Sequence, residues 1–319
     1  MFYKVISSSL IKESGFYRLG RALYSMNIPM NRPLFQEIHI ENTNSCGYKC
    51  TMCPRESQTR RIGYMSVDDF SLVLDRIGPF EGIFHLHGFG EPLLDRQLIP
   101  KVAKLKEKCP SATTLIFSTL GVKVSEDYFT KLLEAGLDTM VISLYGFNQQ
   151  NYKQVHGYDG LELVKRNLQL LSKAMKETKS SFKAAIKIPS PTISISLPSA
   201  KLSEGETFCK WAAELGFEIR TWSYVHNYSS GRHYNEPNTE KMCPVISGRR
   251  KGILNITWDL KVIPCCYDFN ATIPFGNLRE QTLEEVFSSP EYLKFTIAHT
   301  VNNLADYPVC QNCEKNDFS

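Results

Sequence analysis

Hydrophobic and polar positions along this chain follow two alternating periods, one typical of strands and one typical of helices. Residues 35–40 alternate as a half-buried strand does, and apolar residues after Ser66 then recur at helical spacing as far as Gly78. The succession repeats, with strands predicted at 82–87, 114–118, 139–144, within 183–197 and at 217–222, and helices at 97–108, 125–136, 164–175 and 203–215. Because strands that alternate with helices need crossover connections, the sequence predicts an α/β fold with a mainly parallel sheet, a partial (βα)6 TIM-like barrel.

The pattern changes near residue 226, where a polar, turn-rich segment follows the last predicted strand of the barrel. Beyond it, apolar segments at 252–258 and 261–264 predict a hairpin, and helices are predicted near 283–287 and 292–298. We therefore expect the chain to have three parts. These are an N-terminal extension at 1–33, the barrel at 34–225 and a small C-terminal α+β domain at 226–319.

The N-terminal extension carries apolar residues at loosely helical positions, with arginines between them. Such a segment can pack on the barrel or, through a basic amphipathic face, contact a partner or a membrane surface. Gly15 and Gly20 weaken a long surface helix, so the sequence favours packing on the barrel.

Composition and charge narrow the function classes. The 319 residues are 42% hydrophobic and 11% aromatic, as in a globular protein with a core, and the net charge is only +4. No dense run of Lys and Arg indicates a nucleic-acid partner, and no stretch approaches the roughly 20 apolar residues of a membrane span. Ten cysteines without a cleavable signal segment predict a cytoplasmic protein that uses its thiols to bind metal.

Three of these cysteines form a compact motif. Cys46, Cys50 and Cys53 have Cys-x3-Cys-x2-Cys spacing in a loop that directly follows the first predicted strand. Thiolates favour soft metal centres, and four of them normally hold a [4Fe-4S] cluster, so three would leave one iron open to another ligand. The alternatives are a zinc site, since Cys50 and Cys53 alone would suit half of a zinc ribbon, and a disulfide.

The motif and its position after the first strand resemble the radical S-adenosylmethionine (SAM) superfamily. The resemblance implies that Cys46, Cys50 and Cys53 hold a [4Fe-4S] cluster whose fourth iron is chelated by the amino and carboxylate groups of SAM. It also implies reductive cleavage of SAM to a 5'-deoxyadenosyl radical, which abstracts a hydrogen atom from substrate. An electron donor such as flavodoxin or ferredoxin is then an expected partner.

Further residues match the SAM site of this family. Gly90 and Glu91 follow the second strand, where small residues let backbone approach a ligand and a carboxylate accepts from an ammonium group. They resemble the Gly-Gly-Glu motif that holds the amino group of SAM, although the first glycine is displaced. By the same resemblance Ser118 and Ser143, at the ends of two strands, contact the ribose or carboxylate of SAM, and Met52 lies beside the adenine. An ordinary strand–helix turn and core hydroxyls are the alternatives.

A second set of cysteines lies in the C-terminal domain. Cys243, Cys265, Cys310 and Cys313 could form a closed zinc site or a fully ligated iron–sulfur cluster, and thiol chemistry alone does not distinguish them. Their surroundings resemble the SPASM/twitch auxiliary domain in its shortened form. The resemblance implies one auxiliary [4Fe-4S] cluster on these four residues, without a second auxiliary cluster.

Cys266 is then left without a partner. It is either a small buried apolar residue or a thiol hydrogen donor, because an S–H bond is weak enough to quench a carbon radical. Cys109 and Cys209 lie on predicted helices and are expected to be core residues.

The reaction depends on the fate of the substrate radical. The layout resembles aminocyclitol dehydrogenases such as 2-deoxy-scyllo-inosamine dehydrogenase, which implies oxidation of a small polar metabolite, such as an amino sugar or aminocyclitol, with the auxiliary cluster as electron acceptor. Epimerisation with Cys266 as hydrogen donor and modification of a ribosomally made peptide are alternatives. Oxidation needs a base, for which the candidates are Tyr224, His226, Arg232 and Asp268. A non-catalytic zinc protein is the remaining alternative, and roughly eight irons per chain would exclude it.

Overall fold

The computed structural model describes residues 35–178, 181–189, 202–222, 225, 226, 228, 243, 252–311 and 313. The predicted N-terminal extension and most of the segment between 227 and 251 lie outside the described residues, as do the candidate bases Tyr224 and Arg232. Within the described part, no helix is both long enough and apolar enough to span a membrane.

A nine-stranded sheet forms the centre of the described chain. Its strands are β1 (Glu37–Ile40), β2 (Ile83–His85), β3 (Thr113–Ser118), β4 (Thr139–Ser143), β5 (Lys183–Pro189), β6 (Glu218–Trp222), β7 (Ile253–Ile256), β8 (Lys261–Ile263) and β9 (Gly276–Asn277). The order across the sheet is β6-β5-β4-β3-β2-β1-β7-β8-β9. Strands β1 to β6 pair in chain order and all in parallel, which confirms the predicted partial barrel.

The helices of the barrel part are α1 (Val67–Ile77), α2 (Leu98–Lys108), α3 (Tyr128–Glu134), α4 (Gln149–His156), α5 (Leu161–Thr178) and α6 (Leu202–Glu214). The C-terminal part adds α7 (Leu283–Phe287), α8 (Pro290–Thr300) and α9 (Pro308–Gln311). Helix α4 is absent from the sequence prediction. It matters below because it ends beside the cysteine loop.

Capping residues explain two helix boundaries. The Ser66 hydroxyl accepts a hydrogen bond from the Asp69 amide at the start of α1, and Gly78 ends that helix with a φ of 74°. The predicted cap at Ser125 is wrong, because its hydroxyl instead donates to the Asp127 carboxylate and α3 begins only at Tyr128. A short polar side chain can bond within a turn as easily as to a helix end.

The two faces of the sheet differ in chemistry. Ile38, Ile40 and Phe84 are almost fully buried in the main core, together with apolar residues of the surrounding helices. The alternate positions on β1 and β2, including His39 and His85, point to the opposite face, which we call the inner face. Polar side chains on the inner face therefore line the interior of the partial barrel.

The predicted hairpin of the C-terminal domain is confirmed, and it extends the barrel sheet. Strands β7 and β8 pair antiparallel around a turn in which the Thr257 hydroxyl accepts from the Lys261 amide. Strand β7 also pairs in parallel with β1, with Ile38 opposite Leu254. The strand that leads into the cysteine loop therefore lies directly beside the C-terminal part of the chain.

Candidate metal centres and the cavity between them

The loop that carries Cys46, Cys50 and Cys53 is held against the end of α4. The Lys49 amide donates to the His156 carbonyl at 3.1 Å, and the Thr51 amide donates to the Val155 carbonyl at 2.9 Å. A Cβ atom on Gly157, the residue after the helix, would crowd the Lys49 backbone, and its φ of 65° is in the left-handed region. These contacts fix the course of the loop between the cysteines.

His156 links this loop to β4. Its Nε2 accepts a hydrogen bond from the Tyr145 amide at 3.2 Å, and its Nδ1 lies 3.3 Å from Cys50 Sγ. Because a backbone N–H can only donate, the proton of the neutral ring is on Nδ1, which donates to the Cys50 sulfur. Burial lowers the pKa of His156 to about 3, so the ring is neutral at pH 7. Sequence reasoning missed this residue together with α4.

The three thiols face one another in a partly buried site. Burial raises the pKa of Cys46 to about 11 and that of Cys50 well above its usual 9.0, and the neighbouring sulfurs add to both shifts. The Tyr48 amide donates to Cys46 Sγ at 3.4 Å. A buried group of thiols with N–H donors directed at two sulfurs fits a cationic metal centre, which stabilises the thiolate form.

The spacing of the thiols favours a group larger than one ion. Among the described residues, the ligand atoms of three His, Cys, Asp or Glu side chains lie within 4.8 Å of one another only at Glu37, His39 and His85. The sulfurs of Cys46, Cys50 and Cys53 therefore do not all lie within that distance of one another. Zinc–sulfur bonds of about 2.3 Å would place thiolates about 3.8 Å apart around a single zinc ion. The residues present therefore fit an iron–sulfur cluster better than a zinc ion.

Gly90 and Glu91 lie where the loop after β2 meets the loop after β1. The Glu91 amide donates to the Ser45 carbonyl at 2.8 Å, and a Cβ on Gly90 would overlap the Thr43 carbonyl. The Glu91 carboxylate is 2% exposed and accepts hydrogen bonds from Ser118, Thr119 and Leu93, four bonds in all. Burial raises its pKa. These bonds position the ends of β2 and β3, and the predicted contact of Glu91 with the SAM ammonium group stays a prediction.

The other predicted SAM contacts lie near the same end of the sheet. The Ser118 hydroxyl donates to Glu91 at 2.7 Å and accepts from the Leu120 amide. Ser143 forms a side-chain hydrogen bond with Tyr145, and Met52 packs in a small cluster with Tyr145. Both residues therefore lie near Tyr145, and their contacts with SAM stay predictions.

The cysteines of the C-terminal part gather around Cys310. Burial raises the pKa of Cys310, and Cys243, Cys313 and Asp268 raise it further, so their side chains lie within electrostatic reach. Cys265 begins the turn that leads to Asp268, whose amide donates to the Cys265 carbonyl at 3.2 Å. The assignment of these four cysteines to one cluster fits this arrangement and stays a prediction.

A cavity of about 170 Å³ lies between the inner face of the barrel and the C-terminal part, and we call it the central cavity. Its lining includes His39, Arg60, His87, Tyr228, Asn255 and Cys266. Cys266, which the sequence left without a metal-binding role, is half-buried and lines this cavity. Cys109 is buried in the main core as expected.

A buried ion pair lies in the barrel wall of the central cavity, and its arginine also reaches the C-terminal part. Arg60 donates to both oxygens of Glu41 at 2.7 Å, and both side chains are less than 10% exposed. The Arg60 Nε also donates to the Phe269 carbonyl at 2.7 Å. The charges of Arg60 and Glu41 therefore cancel. Arg60 also links the residue after β1 to the C-terminal part.

Two of the candidate bases can be located. His226 Nδ1 lies 2.6 Å from the Tyr267 hydroxyl, and Tyr228 of the cavity lining contacts both rings. Asp268 is buried and accepts from the amides of Thr272 and Ile273, so its carboxylate is held inside a turn. Asp268 is thus committed to bonds within its own turn, whereas His226 and Tyr267 lie against a residue of the cavity lining. The role of either residue as a base stays a prediction.

Comparison with known families identifies both parts of the chain. The Radical SAM superfamily matches residues 40–183, and the SPASM iron–sulfur cluster-binding domain matches residues 247–314. The chain is a radical SAM protein with a SPASM domain. These domains indicate SAM and two iron–sulfur clusters as its cofactors, which confirms the predicted family and cofactors. The boundaries predicted after residues 33 and 225 stay predictions.

Curated relatives of this radical SAM protein are distant. It is 23% identical to the tungsten-containing aldehyde ferredoxin oxidoreductase cofactor-modifying protein of Pyrococcus furiosus, over 88% of this chain and 87% of that one. It is 32% identical to a probable GTP 3',8-cyclase of Sulfurisphaera tokodaii, over 40% of each chain. The first similarity extends over both domains, whereas the second covers less than half of either protein.

Solved structures share the fold of this radical SAM protein. BtrN in complex with AdoMet and 2-DOIA has a TM-score of 0.58 at 17% identity and covers 88% of this chain and 93% of that chain. The anSMEcpe enzyme with bound AdoMet has a TM-score of 0.59 at 15% identity, and the match covers 89% of this chain and 91% of anSMEcpe. SuiB of Streptococcus suis bound to the precursor peptide SuiA has a TM-score of 0.52 at 13% identity, and the match covers 95% of this chain and 75% of SuiB. At these identities the comparison concerns the fold alone.

Proposed function

We propose that this radical SAM enzyme is an oxidoreductase that oxidises a small polar metabolite, such as an amino sugar or aminocyclitol, in the central cavity. When bound, SAM and the N-terminal cluster supply a 5'-deoxyadenosyl radical that takes a substrate hydrogen, and the auxiliary cluster supplies an acceptor for the second electron. We further propose that a flavodoxin or ferredoxin supplies the reducing electron.

The size and lining of the central cavity carry this proposal. Its volume of about 170 Å³ is below the roughly 300–1,000 Å³ of pockets for drug-sized ligands, which favours a small metabolite over a peptide. His39 and Asn255 offer polar groups to hydroxyl or amino substituents. The Glu41–Arg60 pair leaves no net charge on that wall, so hydrogen bonds rather than an ion pair would hold a substrate there.

Loss of a second electron from the substrate also releases a proton. We assign its removal to His226, because a neutral imidazole can accept a proton and its Nδ1 is held by the Tyr267 hydroxyl. Tyr228 extends this pair to the cavity lining. In this scheme a C–H bond and an O–H or N–H bond of the substrate are replaced by a carbonyl or imine.

A second candidate is epimerisation, and the position of Cys266 favours it. Its thiol lines the central cavity, from which it could give a hydrogen atom to the substrate radical. The S–H bond is broken as the C–H bond forms, and the remaining thiyl radical would take one electron from the reductant through the auxiliary cluster and one proton from solvent. The two reactions differ in their products. Oxidation removes two hydrogens from the substrate, whereas epimerisation leaves its elemental composition unchanged.

One experiment separates the candidates. The reconstituted enzyme would be incubated anaerobically with SAM, a reductant and candidate polyols or amino sugars in D2O, and the products analysed by mass spectrometry and NMR. Oxidation predicts 5'-deoxyadenosine together with a product that has lost two hydrogens. It also predicts that Cys266→Ala and the control Cys209→Ala, a helix residue outside the cavity lining, both retain turnover.

Epimerisation predicts the opposite pattern. An inverted carbon would carry deuterium from solvent, and Cys266→Ala alone would lose turnover. That result would overturn the oxidation proposal. Failure of the reduced enzyme to cleave SAM with any candidate would overturn both.

A further inference from the structure

Two neighbouring strands bring a carboxylate and two imidazoles together on the inner face of the barrel. Glu37 and His39 lie two positions apart on β1, and His85 lies opposite His39 in the parallel register of β2. The two imidazole rings are 4.2 Å apart between centroids. We call these three residues the histidine–glutamate cluster.

The ligand atoms of this cluster converge on one point. Glu37 Oε2 lies 3.5 Å from His39 Nε2 and 3.4 Å from His85 Nε2, and all three atoms lie within 4.8 Å of one another. Bonds of about 2.0–2.1 Å to a tetrahedral ion place its ligand atoms about 3.4 Å apart. The observed separations therefore match a single metal ion, unlike those of the cysteine sets.

Three of the four imidazole nitrogens of the cluster lack a hydrogen bond. His39 Nε2 and both ring nitrogens of His85 are buried without such a bond, although their contacts with Glu37 are within 4 Å. Buried polar atoms are normally paired, and an unpaired one costs free energy. A cation between the three side chains would satisfy both Nε2 atoms at once, with Glu37 as its charged ligand.

We propose that Glu37, His39 and His85 bind a divalent transition-metal ion of the zinc or ferrous class, separate from both iron–sulfur clusters. Two imidazoles and one carboxylate are ligands that such ions accept, and three protein ligands leave a coordination position open. His39 also lines the central cavity, so the open position of the ion would be available to an oxygen of a cavity ligand.

This inference goes beyond the proposed function and does not rest on it. The three ligands belong to the barrel sheet. Neither their convergence nor the missing hydrogen bonds of the two imidazoles depends on whether the substrate is oxidised or epimerised. The ion would have a role as a Lewis acid at the cavity or as a structural link between β1 and β2.

The test is zinc binding by the full chain after both clusters have been reconstituted, so that the cysteines are occupied. Zn²⁺ would be titrated against a chromophoric chelator, and the bound zinc examined by K-edge X-ray absorption. We expect a single tightly bound zinc with nitrogen and oxygen neighbours at about 2.0–2.1 Å and no sulfur. Sulfur in the coordination shell, or no zinc held against the chelator, would overturn the proposal.

Variants then identify the ligands. Glu37→Gln and His85→Gln should each weaken zinc binding by at least about 100-fold, since loss of even an outer-shell partner costs about 10–100-fold. His87→Gln is the matched control, because His87 is a buried imidazole on the same face that lies outside the cluster. Unchanged iron content would establish that each variant is folded. Equal zinc affinity in all three variants would contradict the assignment.

Discussion

The two ring nitrogens of His156 have different partners, and this asymmetry gives the residue a defined chemical role. Its Nε2 accepts from backbone, so its Nδ1 donates to Cys50 Sγ. Hydrogen bonds to ligand sulfurs are among the factors that set the reduction potential of an iron–sulfur cluster. His156 is therefore a positioning residue for the N-terminal cluster.

Replacement of His156 should change the potential of that cluster. In His156→Phe the N–H donor is lost while the ring volume is kept, so the more negative reduced cluster loses stabilisation and the potential should fall. An EPR-monitored redox titration measures this shift. His299→Gln, a buried histidine on α8, is the control and should leave that potential unchanged. An unchanged or raised potential in His156→Phe would contradict the assigned bond.

Protonation of Cys46 should make the stability of the cluster-free protein depend on pH. Burial raises the pKa of this thiol to about 11, so the folded chain holds its proton more tightly than the unfolded chain. The stability that Cys46 contributes is therefore complete below pH 9 and falls as the pH rises towards 11. We expect a loss of up to about 3 kcal/mol, at about 1.4 kcal/mol per pKa unit.

Urea unfolding of the cluster-free protein at about pH 8 and about pH 10 measures the first part of this loss, about 1.4 kcal/mol. Cys46→Ser is the matched control, because its hydroxyl does not titrate in this range. The wild type should lose more stability than the variant between the two pH values. The same loss in both proteins would exclude Cys46 as its source.

At the scale of single elements, much of the architecture follows from sequence periodicity. Strands β1 to β6 alternate with helices whose apolar faces are evident, and this succession requires parallel pairing. Helix α4 was missed because it has few apolar positions, with Tyr152, Val155 and His156 as its buried residues. The partner of β7 could not be predicted either, since strand pairing depends on residues far apart in the chain.

The polar positions of the strands carried a signal that sequence reasoning did not use. Glu37 and His39, and likewise His85 and His87, are spaced two apart inside otherwise apolar segments, so each pair faces the same side of the sheet. The cysteine motifs were recognised because their spacing is local. The sequence does not give the register between β1 and β2, so it could not show that His85 lies beside His39.

The cysteine loop packs through Tyr48 on the turn after β3, which contains Gly121. A Cβ on Gly121 would overlap the Tyr48 hydroxyl, whereas a Cβ on Gly47 would meet nothing within 4 Å. Gly121→Ala should therefore displace Tyr48 and the loop, at a cost of about 1–3 kcal/mol. We expect lower iron content and slower SAM cleavage in Gly121→Ala, with Gly47→Ala close to wild type. Similar losses in both variants would contradict the role of this contact.

At the scale of the whole molecule, Arg60 links the barrel to the C-terminal part, because it pairs with Glu41 of the barrel and donates to the Phe269 carbonyl. Arg60→Ala would leave Glu41 buried without its cation, which should cost about 3–5 kcal/mol of the free energy of unfolding. The exposed pair of Arg220 with Glu218 is the control, and Arg220→Ala should cost no more than about 1 kcal/mol. Denaturant unfolding of both variants measures the difference, and equal costs would show that burial does not decide the value of the pair.

The parallel pairing of β1 with β7 has a consequence for any shortened form of the protein. Residues 252–256 cover one side of β1, so β1 is an interior strand in the complete sheet. A fragment that stops at residue 251 keeps Cys46, Cys50 and Cys53, yet it presents the backbone N–H and C=O groups of β1 along an open edge. Such edges invite strand addition from a second molecule, so the fragment would tend to self-associate.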